Sequence, residues 1–316
     1  MALDSESIKW LKSGFGKNVK FDEPMSKHTS LHVGGPADAL VAPENIEALK
    51  NLITWLWKKK TPYLILGNGT NLLVKDSGIT GVVVLLTQCL NTISQTGRNT
   101  HGIMVTAMAG ANMKTLCSFA LKEGLEGMNF AMGIPGSVGG GIMMNAGTSY
   151  GSMERVLESI SILLPTGQVR NIKKENLDFA YRKISWNQAP KDGHQGQQII
   201  LDGCFRLHPS DPEKLKKEAQ KILETRWQRQ PRGLRSAGCF YKNPESGKTA
   251  GQLIEAAGLK GKSMGGAKIS SKHANFILNH HSASAADFLE LMELVEETVL
   301  KKFNIHLERE VKVVGS

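Results

Sequence analysis

Tyr63-Leu64-Ile65-Leu66-Gly67-Asn68-Gly69-Thr70-Asn71 is a short apolar run that breaks into a glycine- and asparagine-rich loop. The run reads as a buried strand. Upstream, Ile46, Leu49, Ile53 and Leu56 recur at helical spacing between Pro43 and Trp57, and Lys58-Lys59-Lys60 closes that helix where basic charge suits the dipole. Downstream, Leu72-Leu73 and the run from Val82 to Leu86 predict further strands. Glycine permits positive φ and close approach, so backbone amides in the loop can meet a pyrophosphate, with Thr70 and Asn71 adding side-chain donors. Alone, the loop reads as an ordinary turn. It is neither a phosphate loop with GK[ST] nor GxGxxG opening a helix.

A second segment changes the balance. Gly133-Ile134-Pro135-Gly136-Ser137-Val138-Gly139-Gly140-Gly141 is too glycine-rich for a stable helix or strand and is expected to be a loop, followed by Asn145-Ala146-Gly147. Two amide-rich segments in one chain suit a dinucleotide cofactor. Strands are expected at Met104 to Ala107, Ile160 to Leu164 and Ile199 to Leu207, with a helix at Met113 to Lys122. The order is α+β without regular βαβ alternation.

His208-Pro209-Ser210-Asp211-Pro212 marks a break, with Asp211 as N-cap and Pro212 at the first position of a charged helix reaching about Arg226. The last helix is expected to begin at Ser284, with Asp287 completing a capping box, and to bury Phe288, Leu291, Val295, Val299 and Phe303. In the terminal segment, Leu307, Val311 and Val313 share one strand face, while Glu308, Glu310 and Lys312 share the other.

The chain has 316 residues, 41% hydrophobic and 22% charged, enough for two or three packed units and unlike a disordered protein. Met1-Ala2-Leu3-Asp4-Ser5-Glu6 is acidic where a secretory signal would be basic, and the longest apolar runs fall far short of the roughly 20 residues that span a bilayer. A cytoplasmic protein without membrane association is expected. Cys89, Cys117, Cys204 and Cys239 form no CxxC pair, and no His/Cys set has zinc spacing, so free thiols and no metal are expected. The net charge of +10 favours anionic partners. Nucleic acid is one such class, but no RNA-binding or zinc-finger signature accompanies the charge, and 6% aromatics leave no stacking platform.

Read in order, Thr29-Ser30-Leu31 with Val33-Gly34-Gly35, then Gly67 to Leu73, then Gly133 to Gly140 resemble the flavin-binding half of the UDP-N-acetylenolpyruvoylglucosamine reductases. Tyr181-Arg182, Gly238-Cys239-Phe240-Tyr241-Lys242-Asn243-Pro244, Lys272-His273-Ala274-Asn275-Phe276 and Glu310-Val311 carry the resemblance through the other half. The compact interval from Asn145 to Tyr181 is similar to the shorter subclass, which lacks an extra tyrosine-bearing loop.

The resemblance implies an FAD-binding fold of the vanillyl-alcohol-oxidase type, as two α+β subdomains over residues 1–78 and 79–209. A C-terminal α+β substrate domain would follow over 210–316, with the terminal strand returning to the active site. It implies non-covalent FAD, NADPH as electron donor, and UDP-N-acetylglucosamine enolpyruvate as substrate, in a monomer or weak oligomer. A flavin oxidase with histidine-linked cofactor is the nearest rival, and His28 and His32 lie near the first flavin segment.

The flavin contacts so implied are Leu66, Gly67, Asn68, Gly69, Thr70, Asn71, Gly133, Ile134, Pro135, Gly136, Ser137, Gly139, Gly140, Asn145, Ala146 and Gly147. Hydride would pass from reduced flavin to the enolpyruvyl methylene carbon. Arg182 would meet the charge that develops beside the carboxylate, with Glu310 stabilising or protonating the intermediate. Cys239 stands where most of the family has serine, as proton donor. A free thiol near pKa 8.5 is protonated at neutral pH, but a nearby Arg182 would lower that value, so an alkaline decline and sensitivity to alkylation are expected. Lys242, Asn243 and Tyr181 are expected to touch substrate. Arg226 and Lys262 read as exposed charges, with phosphate binding as the alternative.

Overall fold

The computed structural model describes residues 3–186 and 197–315. Met1 and Ala2 of the acidic N-terminal stretch lie outside them.

The first sheet has four strands in the order Val19–Pro24, Pro36–Val41, Ile79–Leu85, Tyr63–Leu66; the first pair is antiparallel and the others parallel. Its helix, Ile46–Lys58, is capped by Asn45 and buries Leu49, Leu52, Ile53 and Leu56, one residue beyond the expected apolar stripe. Ile79 opens a strand that lies between two others of this sheet, so the division expected at residue 79 passes through the sheet. The second sheet is antiparallel: Val169–Lys173, Leu157–Leu163, Ile199–Pro209, Gly102–Met108 and Ile93–Asn99, with Leu125–Glu126 added at the end of Ile199–Pro209. Helix Met113–Lys122 falls where the apolar spacing puts it.

Helix Pro212–Arg229 follows, with Asp211 accepting from Glu213 N and proline in the first turn, as the motif requires. The third sheet runs Ser236–Cys239, Phe276–Asn279, Ala267–Ile269, Ser263–Met264. Helix Ala285–Phe303 packs on it, capped by Ser284 in a reciprocal box with Asp287. Phe288, Leu291, Val295 and Val299 are buried, while Phe303 in the last turn is only partly covered.

The expected second loop is also only partly a loop. Gly133 to Gly141 is not all loop, because Val138–Met143 is helical, with the Ser137 hydroxyl accepting from Gly140 N at 3.3 Å. Packing overrides propensity here. A Cβ on Gly139 would come within 2.7 Å of Ala109 Cβ and one on Gly141 within 2.4 Å of Met113 Cε, so only glycine lets this turn lie against its neighbours.

The C-terminal core takes in Leu31, Val33 and Leu73 from the first half of the chain. The terminal strand Lys312–Val314 pairs in parallel with Leu72–Val74, immediately after the first glycine loop. Asp76 in the same region accepts from Ala285 N and Ala286 N, both at 2.9 Å, and so covers the N-terminal amides of the last helix. These contacts return the end of the chain to the glycine loop.

Candidate active site

The two glycine segments interlock. A Cβ on Gly67 would lie 2.2 Å from Ser137 Oγ, and one on Gly136 would lie 2.8 Å from Thr70 Oγ1, so the segments approach because glycine has no side chain. Asn68 Oδ1 is buried with no hydrogen-bond partner. A buried orphan acceptor beside backbone that only glycine allows fits a group bringing its own donors and requiring close main-chain approach, as an adenine dinucleotide does.

Within this region the residues do different work. Leu66 is buried in the core, and its carbonyl accepts from Leu86 N at 2.9 Å, which leaves its backbone as the part nearest the loop. Gly139 N donates to Ala109 O at 2.8 Å, and Ile134 N to Ala131 O at 3.0 Å. Pro135 and Gly140 are exposed at the rim, and Ala146 is buried. His28 Nε2 bonds Glu23 Oε1 at 2.9 Å, while His32 is exposed.

Cys239 ends the strand Ser236–Cys239. Ser236 pairs with Leu278 but Cys239 with Phe276, so one extra residue is bulged between them. Gly238 supplies the left-handed backbone (φ 81°), and the bulge re-aims the thiol. Burial pushes the Cys239 thiol up to about 12, and Glu310 raises it further, against the lowering by Arg182 and Arg226. Desolvation therefore outweighs the arginines, and the lowering expected from Arg182 does not prevail. The thiol keeps its proton well beyond neutral pH.

Arg182 occupies the two-residue connection between strands Leu177–Ala180 and Lys183–Trp186, in left-handed backbone (φ 59°) without glycine. Such a conformation is sparsely populated and is held by its surroundings. Its Nε donates to Glu310 Oε1 at 2.8 Å, its Nη1 donates to Gly147 O at 3.3 Å, and its Cζ lies 4.9 Å from the Tyr181 ring centroid. The Glu310 carboxyl is raised by burial, which exceeds the lowering by Arg182 and Lys242. Glu310 N donates to the carbonyl of Phe240, next to Cys239, at 2.7 Å. Three residues far apart in sequence thus converge.

The expected substrate residues surround this group. Asn243 N donates to Tyr181 Oη at 3.5 Å, and Asn243 Oδ1 accepts from Ala250 N at 3.1 Å. Lys242 pairs with Glu308. Tyr181 is half exposed. Lys262 lies in an exposed turn whose backbone bonds Leu259 and Ile269.

Sequence reading understated Arg226, whose Nη2 donates to Gly133 O at 3.2 Å while its charge acts on Cys239, so it joins the second glycine segment to the thiol. Burial pulls its pKa below the usual arginine range. It missed Asn275, which forms a reciprocal pair with the Tyr241 backbone, accepting from its N at 2.9 Å and donating to its O at 2.8 Å. A buried asparagine in Lys272-His273-Ala274-Asn275-Phe276 was visible, but its partner required the fold.

Residues 37–173 match the family model of the FAD binding domain, and residues 230–314 match that of the UDP-N-acetylenolpyruvoylglucosamine reductase C-terminal domain. These matches and the fold define an FAD-dependent oxidoreductase with an FAD binding domain and a C-terminal α+β domain. The UDP-N-acetylenolpyruvoylglucosamine reductase of Desulfosudis oleivorans is 44% identical over 99% of this chain and 100% of its own length. That of Geobacillus kaustophilus is 39% identical over 95% and 94%. The crystal structure of the reductase from Thermus caldophilus superposes with a TM-score of 0.74 at 33% identity, covering 92% of this chain and 97% of that one. The chain belongs to the UDP-N-acetylenolpyruvoylglucosamine reductase family.

Proposed function

We propose that the enzyme reduces UDP-N-acetylglucosamine enolpyruvate to UDP-N-acetylmuramate with electrons from NADPH, a step of peptidoglycan precursor synthesis. The convergence of Cys239, Arg182 and Glu310 beside the interlocked glycine segments carries this reading. Bound FAD supplies the hydride. Leu66 to Asn71, Gly133 to Ser137, Gly139, Gly140 and Asn145 to Gly147 would hold it without a covalent bond, chiefly through backbone that allows close approach at Gly67 and Gly136.

Hydride addition to the enolpyruvyl methylene carbon leaves negative charge on the neighbouring carbon, delocalised into the carboxylate. Arg182 is permanently charged and oriented by Glu310, so it meets that charge without reorganising. Cys239 holds a proton and donates it to the carbon; burial that raises its pKa maintains the reactive protonation state. Lys242, Asn243 and Tyr181 contact the substrate, and Arg226 adds positive charge between flavin segment and thiol.

We assign the flavin to the first two sheets and the substrate to the chain after residue 209. The enzyme is taken as a cytoplasmic monomer or weak oligomer acting on small anions, with no nucleic-acid or membrane partner; among the described residues no helix is long and apolar enough to cross a membrane.

An anaerobic absorbance trace near the flavin maximum tests the reading. NADPH should bleach the holoenzyme, and only the enolpyruvyl sugar nucleotide should restore the colour. Recovery with oxygen alone, and none with the sugar nucleotide, would point to the oxidase.

A further inference from the structure

Arg182 and Glu310 are brought together by neither's own secondary structure. Arg182 sits in a strained two-residue connection, and Glu310 lies in irregular chain before the strand Lys312–Val314. Two asparagines hold the pair, one from each glycine-containing region. Asn71 Nδ2 donates to Glu310 O at 3.0 Å, and Asn71 O accepts from Lys312 N at 3.0 Å, so Asn71 grips the main chain at and just beyond Glu310. Asn145 is 7% exposed and itself left-handed (φ 37°). Its Nδ2 donates to the carbonyl of Ala180 at 3.1 Å, two residues before Arg182, and its Oδ1 accepts from Glu154 N at 3.1 Å. Two residues further, Gly147 offers the carbonyl that Arg182 Nη1 reaches.

Both asparagine side chains thus donate to main-chain carbonyls of the catalytic segments. Aspartate has the same shape but would set a carboxylate oxygen against each carbonyl, replacing a hydrogen bond by repulsion where little water can intervene. The chemistry of the Arg182–Glu310 pair would be untouched, and only its placement would change.

We infer that Asn71 and Asn145 are positioning residues that assemble the Arg182–Glu310 pair on the flavin-binding half of the molecule. The inference rests on the catalytic reading of that pair given above. It assigns the two side chains to the catalytic segments and leaves their backbones to the cofactor.

The test uses FAD-loaded Asn71→Asp and Asn145→Asp enzymes. Flavin content should match wild type and KM should stay within about threefold, while kcat falls about tenfold to a hundredfold, as expected when reacting groups are misplaced by a fraction of an ångström to an ångström. Double-mutant cycles then separate positioning from general damage. Asn145→Asp should cost little further in an Arg182→Ala background, and Asn71→Asp little further in Glu310→Gln. Fully additive losses in both cycles would overturn the inference, as would loss of flavin from both asparagine variants, which would give their side chains to the cofactor. Undiminished turnover in Arg182→Ala and Glu310→Gln would instead overturn the catalytic reading itself. Should Asn145→Asp fail to fold, the Asn71 cycle decides, because Asn71 lies in a partly exposed loop.

Discussion

Arg182 and Glu310, 128 residues apart in the chain, meet through a 2.8 Å hydrogen bond from Nε to Oε1 with both side chains mostly buried. The bond leaves the guanidinium attached at one edge to Glu310 and at another to Gly147 O, so its orientation is set before substrate arrives. Arg182→Lys keeps the charge but cannot make both contacts. Turnover should fall about a hundredfold, the order seen when one preorganised donor to developing charge is lost, with a smaller change in KM. Steady-state kinetics on FAD-loaded enzyme check this.

Cys239 should react slowly with iodoacetamide at neutral pH, because burial and Glu310 push its thiol up to about 12. Labelling followed by peptide mass analysis should accelerate toward that pH, and the alkaline decline anticipated from a free thiol should be missing below about pH 10. Cys239→Ala should lose most activity and Cys239→Ser recover part of it, since the hydroxyl can donate the same proton. Rapid labelling at pH 7 would show that the thiol is ionised.

The same shift has a stability consequence with a definite sign. A thiol whose folded value is raised above its ordinary value of 9.0 favours folding while protonated, so its contribution is present below about pH 9 and is lost as pH rises toward about 12. Cys117 is raised to about 12 and Cys89 to about 11, so the three share the alkaline loss. The urea midpoint of wild type should fall between pH 9 and 11, and that of Cys239→Ala should fall less steeply.

Glu310 titrates above the usual glutamate range because burial outweighs Arg182 and Lys242, and its charge in turn raises the Cys239 thiol. The acid limb of kcat should therefore lie above 4.5, its ordinary value. Lys242→Met removes one of the two lowering charges and should move the limb to higher pH; a limb that moves down would refute the assignment.

Asp76→Ala should lower stability by about 1 kcal/mol, as expected for losing a carboxylate that covers helix N-terminal amides. The two 2.9 Å bonds to Ala285 N and Ala286 N are the contacts removed. Denaturant midpoints measure it, and Asp76→Asn, which keeps one oxygen acceptor, should lose less.

Helices and strands with strong periodicity were legible: Ile46–Lys58, Met113–Lys122, Pro212–Arg229 and Ala285–Phe303 all begin and end near the signals that announce them. The helix Val138–Met143 was not, since its glycines argue against helix until Ala109 and Met113 are seen filling the space a Cβ would need. Cys239, Arg182 and Glu310 were legible as motif residues only. What brings them together is carried by Asn71, Asn145 and the bulge at Gly238, whose partners lie up to 239 residues away and leave no local pattern.

The pairing of Lys312–Val314 with Leu72–Val74 also sets a schedule for the chain's birth. The flavin half is synthesised first and can begin to fold while the ribosome is still at work. Glu310 is translated 239 residues after Asn71, its partner in the first glycine loop, and closing so long a loop is slow relative to local folding. A polypeptide cut short before Glu310 would carry the nucleotide-binding loops yet lack Glu310 and the strand that anchors it. Such incomplete products would hold cofactor without turning it over, and catalytic competence would appear only once Glu310 and Lys312–Val314 had been made.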